Sequence, residues 1–186
     1  LDGKQLALKI TANSVYGQMG AKTSPICLKK IAACTTAIGR QRIDDASNGV
    51  KMWAEAEGYD IPEIVYGDTD SVFVMFQPKN KDGSYMKGKA ALARTIELAK
   101  EAETFLTAAL RPPHILEYEK TFYPFMLFSK KRYIGMKYEE DPDHCKQTNM
   151  GVVLKRRDNA PIVKEIYQAV VDTILKERDL SKSVSV

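Results

Sequence analysis

The chain has 186 residues, 44% of them hydrophobic and 28% charged, which suits one globular domain of ordinary size and excludes a disordered tract. No apolar run approaches the length of a bilayer span, and no charged-then-apolar leader opens the chain. A formal net charge of +4 is too modest by itself to identify a polyanionic partner.

The first residue is Leu1, and an amphipathic pattern is under way within a few residues. The chain therefore reads as cut from a longer polypeptide at both ends. Cys27, Cys34 and Cys145 are odd in number and widely spaced, so neither a zinc site nor a disulfide framework has support. Reduced thiols in an intracellular setting are expected.

Residues 4–17 read as a helix with Leu6, Ile10 and Ala12 apolar, ended by Gly17 and Gly20. A second helix over 31–57 carries Ile31, Cys34, Ile38, Ile43, Ala46, Val50 and Trp53 as a buried stripe, with Gly58 as its stop. Two β-rich runs, 61–66 and 71–76, flank Gly67-Asp68-Thr69-Asp70 and predict a hairpin. After a polar loop, a third helix over 89–110 places Leu92, Ile96, Ala99, Leu106 and Leu110 on one side, and Pro112 and Pro113 end it.

Strands are expected over 115–123 and over 125–138, the latter turning near Ser129-Lys130. An acidic loop at 139–143 leads to a short strand at 152–154 and a last helix at 161–176, where Pro161 suits the first turn. This order implies an α+β domain, an antiparallel sheet with helices packed on one face.

Asp68 and Asp70 stand at i and i+2, and in an extended segment both would project to one side. Paired carboxylates at a bend suit hard divalent cations, which can serve phosphoryl transfer. An ordinary polar turn uses the same residues. On the first helix, Lys9, Asn13 and Tyr16 fall at i, i+4 and i+7, with Gly17 beside them. A cation, an amide, a phenol and bare backbone do not make a core stripe; a solvated helix side is the bland alternative. Lys130, Lys131 and Arg132 form one basic cluster and Lys155, Arg156 and Arg157 another. Both suit backbone phosphates.

Lys9-x-x-x-Asn13-Ser14-x-Tyr16-Gly17 resembles the fingers-helix motif of family B DNA-dependent DNA polymerases. Tyr66-Gly67-Asp68-Thr69-Asp70-Ser71 is similar to their palm motif C, and Lys130-Lys131-Arg132-Tyr133 to their primer-contacting Lys-Lys-x-Tyr motif. The three occur in the family's order. The resemblance extends through Leu116-Glu117-Tyr118-Glu119-Lys120 and Arg156-Arg157-Asp158-Asn159, and in style is most like polymerases of large double-stranded DNA viruses.

The resemblance implies the end of the fingers at 1–21, an antiparallel palm at 22–154 and the start of a helical thumb at 155–186. It makes Asp70 the main metal ligand, Asp68 a weaker one, and Glu119 a further candidate, because a glutamate of this segment approaches the metals in some relatives. Glu119 would then share a strand face with Glu117 and Thr121. Lys9 would contact the nucleotide phosphates and protonate the departing pyrophosphate, while Asn13, Tyr16 and Gly17 pack near the nascent base pair. Lys130, Lys131, Arg132 and Tyr133 would hold the primer.

Two or more Mg2+ ions, with Mn2+ able to substitute, are the implied cofactors. Primer-template DNA, deoxynucleoside triphosphates, the remainder of the polymerase chain and a sliding clamp are the implied partners, with no membrane. The implied location is intracellular, in the host nucleus or cytoplasm if the protein is viral. The family's further aspartate, in an Asp-x-x-Ser-Leu-Tyr-Pro segment, is not in this sequence. A noncatalytic nucleic-acid-binding module of palm-like fold is the competing reading; carboxylates near phosphates count against it.

Overall fold

The computed structural model describes residues 2–155, 159–178 and 180–183. It is a mixed helical and antiparallel-sheet protein. Its elements are α1 (Asp2–Gly20), α2 (Lys29–Ala56), β1 (Glu63–Asp68), β2 (Ser71–Met75), α3 (Gly88–Ala109), β3 (Thr121–Ser129), β4 (Arg132–Tyr138), β5 (Cys145–Met150), α4 (Pro161–Asp172) and α5 (Leu180–Ser183). A 3-10 turn spans Val153–Lys155, and α4 runs on into a π-helical turn at Thr173–Glu177. Two compact units emerge, one comprising the chain up to Lys51 with Ile64–Val74, the other Met52–Glu63 with everything from Met75 onward.

Among the described residues the expected single sheet is two sheets: β1 pairs with β2 alone, and β3, β4 and β5 form a separate three-stranded sheet in chain order. In the first unit, α1 leaves Leu6, Leu8 and Ile10 exposed. The expected stripe on α2 is buried only toward its end. Ala46 and Val50 are buried, but Ile31 and Ile38 are about half exposed and Ala32 is buried in their place. Periodicity fixes which face is apolar, not whether another element covers it.

The second unit has two apolar clusters. Trp53 and Ala54 pack with Leu98 and Ala102 of α3, with the Trp53 ring edge-on to Phe76. Ala102 and Leu98, rather than the expected Ala99, complete the buried face of α3. Ile134 of β4, fully buried, packs with Val152, Val171 and Leu175, so α4 and its π turn seat on the three-stranded sheet.

Of the strand expected over 115–123 only 121–123 is extended, as the start of β3, and the strand expected over 152–154 is not formed. Residues 115–120 are irregular because side chains of α3 satisfy their backbone. The Thr107 hydroxyl accepts from the Leu116 N–H at 3.2 Å and donates to its carbonyl at 3.0 Å, and Glu103 accepts from the Tyr118 N–H at 3.1 Å. With these groups satisfied, no ladder is needed. Residues 152–154 turn instead of extending, because Val152 is drawn into the α4 cluster. The polar stretch Cys145–Met150 supplies the third strand, in continuous register with β4 from Tyr138↔Cys145 to Tyr133↔Met150. Between β3 and β4 the register shifts from Phe122 to Phe125, where Pro124 has no N–H to donate.

Candidate active site

The β1-β2 hairpin turns through two residues, Thr69 and Asp70. Tyr66 and Phe73 face each other across it with ring centroids 5.3 Å apart, an aromatic pair that fixes register. Thr69 takes φ 57, and the Asp70 N–H donates to the Asp68 carbonyl at 2.6 Å, a γ-turn with positive φ. The expectation of two same-side carboxylates on an extended strand is thereby corrected. Asp68 closes β1 half-buried, while Asp70 sits exposed within the turn.

Two hydroxyls that sequence reasoning passed over hold Asp68. Thr69 Oγ1 donates to Asp68 Oδ1 at 3.1 Å, and Ser71 Oγ donates to the Asp68 carbonyl at 3.0 Å. The signal for them was present, since Ser and Thr beside an aspartate readily bond locally. The donor set at this tip, carboxylate and hydroxyl oxygens with no soft ligand, fits a hard divalent ion. Among the described residues no group of three or more His, Cys, Asp and Glu side chains converges.

Glu119 belongs to the other unit and lies in the irregular stretch after α3, so the shared strand face with Glu117 and Thr121 does not exist. Its side chain is 70% exposed and pairs with Lys120 at 2.5 Å.

Lys9, Asn13, Tyr16 and Gly17 are all exposed along α1. Thr11 and Ser14 spend their hydroxyls on carbonyls of the same helix, and a Cβ at Gly17 would meet nothing within 4 Å. The face is therefore open, with Lys9 lacking an ion-pair partner among the described residues. That openness is what a ligand requires.

Lys130 and Lys131 form the tip of the β3-β4 hairpin and Arg132 opens β4, all three exposed. Tyr133 is only 6% exposed, its ring 5.8 Å from that of Phe122 and 5.5 Å from that of Phe125. Burial of the one residue and exposure of the three before it follow from the turn. The tip leaves the sheet, and the first β4 residue facing inward is Tyr133. In the second basic cluster Lys155 is exposed; Arg156 and Arg157, with Asp158 after them, lie outside the described residues. Asn159 donates to the Val153 carbonyl at 3.5 Å.

The family model for DNA polymerase family B matches residues 1–186. The chain is 48% identical over 185 residues to a DNA polymerase of Pyramimonas orientalis virus, covering 100% of this chain and 15% of that protein. It is 38% identical over 187 residues to the DNA polymerase delta catalytic subunit of Drosophila melanogaster, covering 100% of this chain and 16% of the subunit. The corresponding subunit of Candida albicans is 36% identical over 186 residues, with 98% and 17% covered. The chain thus spans about a sixth of the length of these curated relatives.

Proposed function

The chain belongs to DNA polymerase family B, and on that premise we propose that the complete protein is a DNA-directed DNA polymerase. It adds deoxynucleotides to a primer 3′ end on a DNA template. Residues 1–21 are assigned to the end of the fingers, 22–154 to the palm and 155–186 to the start of the thumb.

The strongest support is the tip of the β1-β2 hairpin. There Asp70 is exposed, and Asp68 is held beside it by the Thr69 and Ser71 hydroxyls. Asp70 and Asp68 would hold Mg2+, for which Mn2+ can substitute, with Glu119 a further candidate ligand. When bound, the ions lower the pKa of the attacking hydroxyl and offset charge on the leaving oxygen.

The chain's own residues supply the rest. Lys9 presents an ammonium to the triphosphate and is placed to give a proton to the pyrophosphate as it leaves. Asn13 and Tyr16 border the bare backbone at Gly17, where a flat base pair can lie. Lys130, Lys131 and Arg132 neutralise primer-template phosphates, a sequence-independent grip suited to copying any template. Tyr133 roots that grip in the sheet, its ring packed on Phe122 and Phe125, and is the fourth residue assigned to the primer contact.

A sliding clamp and the remainder of the polymerase chain are the protein partners of this reading. Its setting is intracellular, the host nucleus or cytoplasm for a viral enzyme. Among the described residues no helix is long and apolar enough to cross a membrane.

The test is Asp70→Asn in the complete polymerase. Single-nucleotide incorporation should fall by about a thousandfold or more, since charge at the reacting oxygens is lost. Primer-template affinity should stay within about twofold. Near-normal incorporation would remove Asp70 from the chemistry.

A further inference from the structure

The turn of the basic hairpin packs against the segment that follows β5. Tyr133 pairs with Met150 at the end of the β4-β5 ladder. The next residue, Gly151, has φ 61, and Arg132 Nε donates to its carbonyl at 3.2 Å. A Cβ on Gly151 would collide with the Lys131 carbonyl oxygen and would lie 3.3 Å from the Lys131 carbonyl carbon and 3.2 Å from Arg132 Cγ. The obstacle at the oxygen is backbone, which cannot swing aside like a side-chain end. Immediately beyond, Val152 is 2% exposed in the cluster with Ile134, Val171 and Leu175. Its neighbour on that side is therefore fixed.

We propose that Gly151 is a positioning residue for DNA binding: its missing side chain lets the 150–152 segment pass against the Lys131 carbonyl and sets the angle at which Lys130, Lys131 and Arg132 meet phosphates. Two features demand glycine independently, the left-handed backbone and the close approach. Any side chain there must push the turn away, since the other side is anchored by Val152. The inference rests on the reading of this hairpin as a DNA grip.

The experiment uses the complete polymerase with Gly151→Ala, measuring primer-template Kd across a salt series beside single-turnover incorporation at saturating DNA. The expected result is a Kd raised about tenfold and a log-log salt slope shallower by about one to three, as one to three phosphate contacts are lost. The rate at saturating DNA and the apparent nucleotide constant should hold near wild type. A general loss of structure would lower the rate as well, and could not change the slope alone.

If Gly151→Ala does not fold, Gly151→Asn decides, because asparagine tolerates the left-handed backbone while its Cβ still meets the Lys131 carbonyl. Weaker DNA binding supports the proposal, and wild-type affinity overturns it. Wild-type Kd and slope in a folded Gly151→Ala overturn it equally. A variant with Lys130, Lys131 and Arg132 all changed to Ala separates the premise. If that variant binds DNA normally, the hairpin is no grip and the inference falls with it. If it binds weakly while Gly151→Ala binds normally, only the positioning role is lost.

Discussion

The Asp70 N–H donates to the Asp68 carbonyl at 2.6 Å, so the two aspartates are joined through backbone across a single residue, Thr69. That residue is β-branched and sits at φ 57, a conformation costing about 1–2 kcal/mol for an L-residue. Its hydroxyl bond to Asp68 Oδ1 returns part of this, about 1 kcal/mol. Thr69→Gly should therefore tighten the turn while removing the hydroxyl bond to the Asp68 carboxylate. In the complete polymerase, amide exchange at Asp70 should slow by up to about tenfold, and nucleotide incorporation should fall several-fold at unchanged DNA affinity. Faster exchange at this turn would show that the threonine is not strained there.

Lys9 and Lys131 stand on different elements, α1 and the tip of the β3-β4 hairpin, and should separate in kinetics. Lys9→Ala should lower the maximal incorporation rate and raise the apparent nucleotide constant. Lys131→Ala should act through DNA affinity, with the salt slope reduced by about one if it neutralises one phosphate. Identical profiles for the two variants would refute the division of labour.

Ile134 is fully buried on β4 between the sheet and α4. Truncation to Ala should cost about 2–5 kcal/mol, because the surrounding residues cannot all collapse into the space. A denaturation midpoint within error of wild type would mean that the cluster is looser than its burial implies.

Ile134 also marks how far the sequence could be read. The four long helices and both hairpins were legible, because periodicity and turn chemistry act within a few residues, whereas the short α5 was not expected. Residues 115–120 and 152–154 were not, since both were decided by partners distant in sequence. Thr107 takes the backbone bonds of Leu116 from nine residues away, and Val152 is captured by Val171 and Leu175. Exposure was hidden too, for Ile31 and Ile38 look like core on the helical wheel and are not buried. At the candidate site the residue types were legible and the geometry was not. Nothing local announced that Asp68 would end a strand while Asp70 entered the turn, or that Glu119 would lie off any strand.

The acidic loop after β4 should weaken at low pH in a defined direction. The Asp143 N–H donates to Asp141 Oδ1 at 2.8 Å, and His144 approaches Oδ2 at 2.5 Å. The backbone bond, then the histidine, holds the Asp141 carboxyl below its usual range. A depressed folded pKa gives stability that is present above the unfolded value and is lost as pH falls through the folded one. Asp141→Asn keeps an acceptor but lacks the charge. Its melting temperature should lie below wild type at neutral pH, and the gap should close below about pH 4. A gap that widens on acidification would reverse the sign and reject the assignment.

The 186-residue segment by itself should extend no primer. Asp68 and Asp70 are close neighbours whose charges repel unless cations balance them, and no group of three or more metal-binding side chains forms among the described residues to hold such cations. The resemblance implies that another aspartate comes from a segment absent from this sequence. Divalent binding by the segment should thus be weak. Solubility should be poor as well: Leu6, Leu8 and Ile10 on α1 are 58%, 72% and 60% exposed, and Ile162 and Ile166 on α4 are 59% and 53% exposed. The two-stranded β1-β2 sheet adds unpaired edges that invite association. Lengthening the segment upstream to include the missing aspartate should raise metal affinity, read by calorimetry with Mg2+ and Mn2+, and should lower aggregation, read by light scattering. Magnesium-dependent extension by the 186 residues alone, free of contaminating polymerase, would show that the chain already holds every ligand the chemistry needs.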